Sequence, residues 1–433
     1  MLQKSCLVII SLSIACSLAK PSQEAAAGGY AIAEQTAIGV GQGNAITASV
    51  EDPSAVYVNP SALSQVSGNQ IMVGLNYINT HSSVKNNGVK SRNLHDDDFL
   101  PNLFANYHIP GTDLSLGIGS YTPFGLVTRY DEDSFTRFAA IQTELKTIYV
   151  TPAIAWQPSP YFSIGAGMSF VHSSEVLSRS IFLGAVGVGE GRIRITDTDD
   201  AYGYNIGVLV KPTDRVKFGI TYRSRVTLKY DDADVKFTDA MVTGGAFTAA
   251  KGSGIRVPIP PVINTGIELQ ITPDWAAELD YNFTRWSELK HIKAEFSPSL
   301  PALGGLAPIS GIFLVQNWKN TSSIRLGTRY KLNQNFELRG GMGLDQTPIP
   351  SSTLSPAIPG ANILTINGGL GYSWNNFNFD FGYMAVFYKT RKVTNNALET
   401  GNDPNALPFP GLGPRDTYET FHNFVALNLR YRF

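Results

Sequence analysis

The sequence predicts an all-β fold, a transmembrane antiparallel β-barrel of about fourteen strands. Three observations predict it. Apolar and polar residues alternate along many runs, and a period of two puts successive side chains on opposite faces of a strand. The charged residues of these runs share the less apolar face, the reverse of a soluble sandwich and the arrangement a cylinder needs when its outer face meets lipid. Tight turns and long polar loops alternate between the runs, the layout of outer-membrane barrels.

Composition agrees. Of 433 residues 43% are hydrophobic and 11% aromatic, with 41 Gly. Only 16% are charged, against about 25% for an average soluble chain. Lys+Arg of 34 against Asp+Glu of 35 gives a net charge of -1, so there is no electrostatic footprint for nucleic acid. No apolar run reaches the length of a membrane-spanning helix.

The first segment reads as an export signal, residues 1–27. Lys4 precedes an apolar stretch from Cys6 to Leu18, too short to span a bilayer but right for a signal-peptide core. Cleavage is expected between 19 and 27, after Ser17-Leu18-Ala19 or Ala25-Ala26-Ala27. Cys16 after Ser13-Ile14-Ala15 faintly resembles a lipoprotein site, with Ser13 where Leu is usual. Both cysteines, Cys6 and Cys16, lie here, so the mature chain is expected to carry no disulfide.

The fourteen runs are 70–81, 99–108, 114–130, 145–157, 162–175, 201–211, 216–230, 256–270, 275–289, 321–332, 336–345, 363–373, 377–389 and 421–433. In 216–230, Val216, Phe218, Ile220, Tyr222, Val226, Leu228 and Tyr230 share one face. Lys217, Thr221, Arg223, Arg225 and Lys229 share the other. A helix would scatter those charges around its circumference. Turn chemistry separates many runs: Pro110-Gly111-Thr112-Asp113, Pro158-Ser159-Pro160, Pro212-Thr213-Asp214, Thr272-Pro273-Asp274, Asn333-Gln334-Asn335 and Asn375-Asn376. The inward set contains Arg223, Arg225, Glu278, Asp280, Arg325, Arg329, Glu337, Arg339 and Asp380. Its mixed signs predict a lumen lattice of ion pairs. Val425, Leu427, Leu429, Tyr431 and Phe433 alternate to the final residue. An aromatic ending on such a strand resembles the signal read by the outer-membrane insertion machinery, which makes that machinery an expected partner through Phe433.

Residues 27–64 show no strand alternation. Gly39, Gly41 and Gly43 are not a phosphate loop, since no strand precedes them and no Lys-Ser/Thr follows. The segment, with Asp52-Pro53-Ser54-Ala55 and then Asn59-Pro60-Ser61-Ala62, resembles the N-terminal plug of the FadL/TodX family of outer-membrane transporters. Pro60 fixes one φ and Asn59 can bond locally, the corners a folded-back plug needs. Further resemblances follow in order at Thr221-Tyr222-Arg223-Ser224, Arg285-Trp286-Ser287, Asn317-Trp318-Lys319 and 345–350. The resemblance implies a plug (hatch) over 28–68, with Asp52, Asn59 and Pro60 at its corners, inside a barrel of 69–433. It implies passive transport of long-chain fatty acids or hydrocarbons by a monomer in the bacterial outer membrane, surrounded by outer-membrane lipid and without a cofactor.

Tyr121-Thr122-Pro123-Phe124-Gly125-Leu126 resembles the family's interrupted third strand. Pro123 cannot donate to a ladder and Gly125 has no side chain to pack. In the family the break is a lateral gap through which cargo leaves; an ordinary bulge is the alternative. Arg179 falls where family members hold a ligand carboxylate; otherwise it pairs with Glu175 or Glu190. A second cationic position falls near Leu314, which is apolar here and leaves neutral hydrocarbons open. Ile181, Phe182 and Leu183, then Met241 and Phe247, and residues 300–315 are unusually apolar for loops. They form either a capture surface for hydrophobic cargo or a self-packed cap.

No catalytic constellation emerges. The six His have no metal-ligand spacing, no Ser lies in G-x-S-x-G, and the runs His95-Asp96-Asp97-Asp98 and Asp197–Asp200 read as solvated loops. No metal site and no enzyme activity are expected. A receptor barrel with a permanently shut plug, serving as an adhesin or phage receptor, is the alternative function; a lipid-hydrolysing barrel is a third.

Overall fold

The computed structural model describes residues 29–182, 190–238, 249–300, 309–393 and 416–433. The export signal and Leu183, Met241 and Phe247 lie outside the described residues.

Fourteen antiparallel strands close a barrel. They are β1 Gln70–Asn86 and β2 Asp97–His108, then β3 in two pieces, Leu114–Tyr121 and Gly125–Arg129. Next come β4 Gln142–Ser159, β5 Phe162–Phe182, β6 Glu190–Thr213, β7 Val216–Arg223, β8 Val262–Thr272 and β9 Trp275–Thr284. The last five are β10 Thr321–Lys331, β11 Phe336–Asp345, β12 Ile363–Trp374, β13 Phe377–Tyr388 and β14 Thr417–Arg432. Closure runs from Gln70↔Arg432 to Lys85↔Thr417, so backbone groups that water cannot reach in lipid are paired around the sheet except where β3 is interrupted.

The strands match the predicted runs one for one and differ at the loop end. β5 and β6 stay paired from Phe162↔Val210 to Phe182↔Glu190, about twice the 9–11 residues a membrane crossing needs. The outward face changes character along them. Ile164, Met168 and Phe170 are exposed, and beyond them His172 bonds Asp200 at 2.7 Å. Above that level the loops continue the sheet with a polar exterior.

Two predicted runs break. The alternation of 216–230 continues past Arg223, yet Val226–Tyr230 leaves the wall and pairs with Ile255–Ile259 in a separate two-stranded sheet. Ser224 takes over both backbone groups of Tyr204, and Pro260-Pro261 offers no amide donor where β8 would otherwise extend. Val226, Leu228 and Tyr230 are therefore buried against Ile255, Val257 and Ile259 rather than facing lipid with Phe218. Arg225 is corrected with them: it is half-exposed and pairs with Glu288 at 3.1 Å, outside the lumen lattice.

The rest of the outer face is an apolar belt. Leu279, Ile324, Leu326, Phe381 and Leu427 are exposed across its middle. Trp156, Tyr161, Trp275, Tyr330 and Trp374 stand at the turn end, and Tyr77, Phe99, Tyr202, Tyr204 and Phe387 at the loop end. Two aromatic girdles flanking an apolar band are the signature of a barrel in lipid.

Candidate lumen site and its gate

Residues 29–66 sit inside the barrel. Two short helices, α1 Ala37–Gly41 and α2 Ala55–Val58, are followed by a 3-10 turn, Pro60–Gln65. Local chemistry sets each corner. Asp52 Oδ1 accepts from Ser54 N at 2.8 Å, an Asx turn. Asn59 caps the 3-10 turn, its Oδ1 accepting from Ser61 Oγ at 2.6 Å, while Pro60 occupies the first position, where no amide is needed. Asn59 Nδ2 also donates to Thr47 O at 2.9 Å. Both corners are fully buried.

The wall grips this plug by its backbone. Asn76, Asn205 and Asn367 donate to the carbonyls of Glu34, Val56 and Val40 at 2.7–3.0 Å. Asn428 accepts from Ala37 N. On β9, Asp280 Oδ2 accepts from Thr47 Oγ1 at 2.6 Å and from the amides of Ile46 and Thr47, and Glu278 accepts from Ala48 N at 2.6 Å. The approach is so close that a Cβ at Gly207 or Gly165 would collide with Asn59 or Pro60. Inward glycines are thus where the plug lies.

The predicted lumen lattice is present in part and includes the plug: Arg325, Arg329, Glu337, Arg339 and Asp380 form ion pairs, while Glu278, Asp280 and Arg223 hold the plug itself. Arg325 bridges Glu34 and Asp345 at 3.4 and 2.8 Å. Glu268 holds Arg329 and Lys217, and Lys217 also reaches Glu51 of the plug at 2.6 Å. Arg339 joins Asp380 and Glu337. Arg223 donates to Tyr57 O at 2.8 Å and lies over the Tyr57 ring at 4.2 Å, a cation–π contact.

β3 is interrupted at Thr122, Pro123 and Phe124. Its first piece pairs with both β2 and β4, whereas its second piece pairs with β4 alone among the described residues. The 97–102 part of β2, paired with β1 on its far side, therefore faces no ladder partner across the break among the described residues. The N-terminal end of the plug fills part of it. Ala31 pairs with Phe124, Ile32 N donates to Pro123 O at 2.8 Å, and Gly125 N donates to Tyr30 O at 2.9 Å. A cavity of about 560 Å³ lies behind, lined by Tyr30, Ile32, Phe124, Leu126, Leu145 and Trp286 among others, and it reaches 98–101 and 125–128 on both sides of the break.

The residues expected at the lateral gap, Pro123, Phe124 and Gly125, line this cavity, whereas those expected to bind cargo, Arg179 and Ile181 among the described residues, are not among its lining. Arg179 is buried on β5, across from Ile193, four residues nearer the loop end than Glu175. Glu190, one of its two candidate partners, is taken by Arg137 at 2.5 Å. Ile181 lies in an apolar core with Ile193, Phe237 and Phe296, which is the self-packed alternative for that residue. Phe182 ends β5 opposite Glu190.

Sequence reasoning missed Tyr30, Trp286 and Trp318, which pack together beside the break. Trp286 and Trp318 were visible as members of short motifs, but spacing of 32 residues between different strands gives no cue that they meet over Tyr30.

Known proteins share this architecture. Residues 18–433 match the family described as outer membrane protein transport protein (OMPP1/FadL/TodX). Outer membrane protein P1 of Haemophilus influenzae is 24% identical over 472 residues, covering 98% of each chain. The long-chain fatty acid transport protein of Escherichia coli O6:H1 is 22% identical, covering 98% of this chain and 100% of its own. The crystal structure of a Pseudomonas aeruginosa FadL homologue superposes with a TM-score of 0.79 at 20% identity, covering 94% of this chain and all of that one. That of the Pseudomonas putida toluene transporter TodX does so at 0.71 and 16%, covering 92% and 98%. At such identities the superpositions speak for the fold alone.

Proposed function

Because the chain belongs to the outer membrane protein transport family (OMPP1/FadL/TodX), we propose that it passes hydrophobic compounds across the outer membrane and releases them sideways into the bilayer through the break in β3. Long-chain fatty acids and hydrocarbons are the cargo classes of this reading, since relatives bear the names of fatty acid and toluene transporters. The carrying observation is that the cavity opens toward a stretch of wall where β2 and the second piece of β3 form no ladder among the described residues. An apolar solute leaving there enters hydrocarbon without crossing the polar lattice at the turn end. No coupling to an energy source is required, because a plug with two positions shifts whenever cargo binds one of them more tightly.

The route has three steps: capture at the loop end, transfer to the cavity, and withdrawal of residues 30–32 from the break. For a carboxylate cargo, Arg179 is the cation proposed to meet the head group before the tail reaches the cavity. For a hydrocarbon it is not needed. Liposomes holding the protein should take up labelled palmitate or toluene faster than empty liposomes. Uptake no faster than the empty control for both compounds ends this reading.

A further inference from the structure

Glu278 and Asp280 stand two residues apart on β9, so the pleat turns both side chains into the lumen. They are 2% and 0% exposed, and their carboxyl groups lie within hydrogen-bonding reach of each other. Both lean over Gly266 of β8, where an added Cβ would strike Asp280 Oδ1 and Glu278 Oε1 together. One oxygen of each is bonded to the plug. Asp280 Oδ2 takes the three donors of Ile46 and Thr47, and Glu278 Oε1 takes Ala48 N. The other two, Glu278 Oε2 and Asp280 Oδ1, are buried and have no hydrogen-bond partner among the described residues.

The charged groups around this pair are committed to one another. Across the ladders Glu278 lies between Glu268 and Gly327, and Asp280 between Gly266 and Arg325. Arg325 of β10 spans Glu34 of the plug and Asp345 of β11. Arg329 of β10 and Lys217 of β7 are held by Glu268 of β8, with Glu51 of the plug beside both. Glu337 of β11 pairs with Arg339. Among the described residues these cations form their ion pairs with Glu34, Asp345, Glu268, Glu51 and Glu337, and none forms one with Glu278 or Asp280. Two adjacent carboxylates in a dry site without a cation cannot both stay ionised. A single proton between them removes the repulsion and supplies the donor that the unpartnered oxygens lack.

We propose that Glu278 and Asp280 share one proton while the plug is seated, and that this proton is a latch holding residues 46–48 against β9. Glu278 carries it and donates to Asp280, whose other oxygen keeps the bonds from Ile46 and Thr47. Lifting residues 46–48 admits water to both groups, and each then ionises as an ordinary carboxylic acid does at neutral pH. The seated plug therefore binds one proton more than the lifted plug. By linkage, this contribution to seating is complete below the ordinary carboxylate range and is lost as the pH climbs past the point where the seated pair gives up its proton. Between those limits seating weakens by at most about tenfold per pH unit. Acid thus tightens the plug and alkali loosens it. The inference rests on the transport reading only for the plug's having a second position, and it adds a control on β9 rather than at the break in β3.

The test uses the full-length protein in detergent and in liposomes. At neutral pH the wild type should show the infrared carbonyl band of a buried protonated carboxyl, and Glu278→Gln should lack it. Hydrogen exchange at the Ile46, Thr47 and Ala48 amides, expressed as protection relative to an unfolded chain, reports seating. Wild-type protection should fall between about pH 6 and about pH 9, by up to about tenfold per unit. Glu278→Gln puts an amide donor where the proton sat and keeps the acceptor for Ala48 N, so its protection should not change with pH. Asp280→Asn supplies the same donor from the other side and should be equally flat. Should Glu278→Gln fail to form a heat-stable barrel, Asp280→Asn decides by the same comparison. An equal fall in protection in the variants, or no protonated carboxyl band in the wild type, overturns the proposal. So does protection that follows calcium and EDTA at constant pH, which would put a metal ion between the carboxylates instead. If labelled palmitate or toluene enters liposomes while wild-type protection stays flat, the latch fails and the transport reading stands. If protection falls with pH as expected but neither compound enters at any pH, the latch stands and the transport reading fails.

Discussion

Ala31 and Phe124 face each other as an antiparallel pair across the break in β3, bracketed by the bonds from Ile32 N to Pro123 O and from Gly125 N to Tyr30 O. That pattern makes them a non-hydrogen-bonded pair, the kind whose Cα atoms approach to about 4.5 Å, within the range a disulfide spans. Replacing both with cysteine, Ala31→Cys with Phe124→Cys, should therefore pin the plug to the wall. Cys6 and Cys16 are the only natural thiols and lie far outside this pair in sequence. Uptake into liposomes should fall toward the empty-liposome rate when the pair is oxidised and recover on reduction. Uptake indifferent to oxidation would separate transport from this gate.

Asn59 is the corner on which the lower plug turns. Its amide donates to Thr47 O while its oxygen accepts from Ser61, all of it buried. Asn59→Ala deletes both and leaves Thr47 O and Ser61 seeking partners in a dry site, a cost of about 1–3 kcal/mol for each unmet group. Gly207→Val attacks the same contact from the wall, because any Cβ there strikes Asn59. Both variants should keep a heat-stable barrel in gel-shift assays and yet expose residues 50–66 to protease. A protected segment in both would mean that the corner does not seat the plug.

How much of this was legible follows from where each constraint is written. The wall was readable because lipid imposes a period of two on every strand separately, so Leu279 or Phe381 declares its face without knowledge of its neighbours. The plug corners were readable because Asp52 and Asn59 act within two residues of themselves. The departure of Val226–Tyr230 from the wall was not: its alternation is as regular as that of 216–223, and only the partner at Ile255–Ile259 decides that these apolar residues face a cap rather than lipid. Tyr30 was invisible for the same reason, since the three rings packed against it, Phe124, Trp286 and Trp318, come from three distant stretches. Arg179 was singled out by resemblance, and the cavity lies elsewhere.

Asp280 concentrates the wall's hold on the plug in one oxygen, which accepts from Ile46 N, Thr47 N and Thr47 Oγ1. Asp280→Ala would strand all three donors inside the barrel, and losing hydrogen bonds to a carboxylate costs about 1.5–3 kcal/mol each. The plug should then sample open positions. In planar bilayers the variant should show discrete conductance steps where the wild type is silent, and Asp280→Asn, which keeps an acceptor, should show fewer. Silence in Asp280→Ala would locate the hold in the asparagine clamps instead.

Leu279 and Leu332 separate a barrel in lipid from a barrel in water. Their exposures are nearly equal, 51% and 52%, so solvent accessibility alone predicts that arginine is tolerated equally at both. Depth predicts otherwise. Leu279 stands midway along the outer face of β9, between Trp275 at the turn end and Phe283 toward the loops, whereas Leu332 follows the last residue of β10 at the turn. In hydrocarbon an arginine costs about 2–4 kcal/mol at the midplane and about 0–1 kcal/mol near the interface. Leu279→Arg should therefore lower the urea midpoint of the vesicle-inserted protein clearly, and Leu332→Arg should barely move it. Equal small effects would mean that no apolar slab surrounds the belt, and the inverted alternation of every strand would then need another cause.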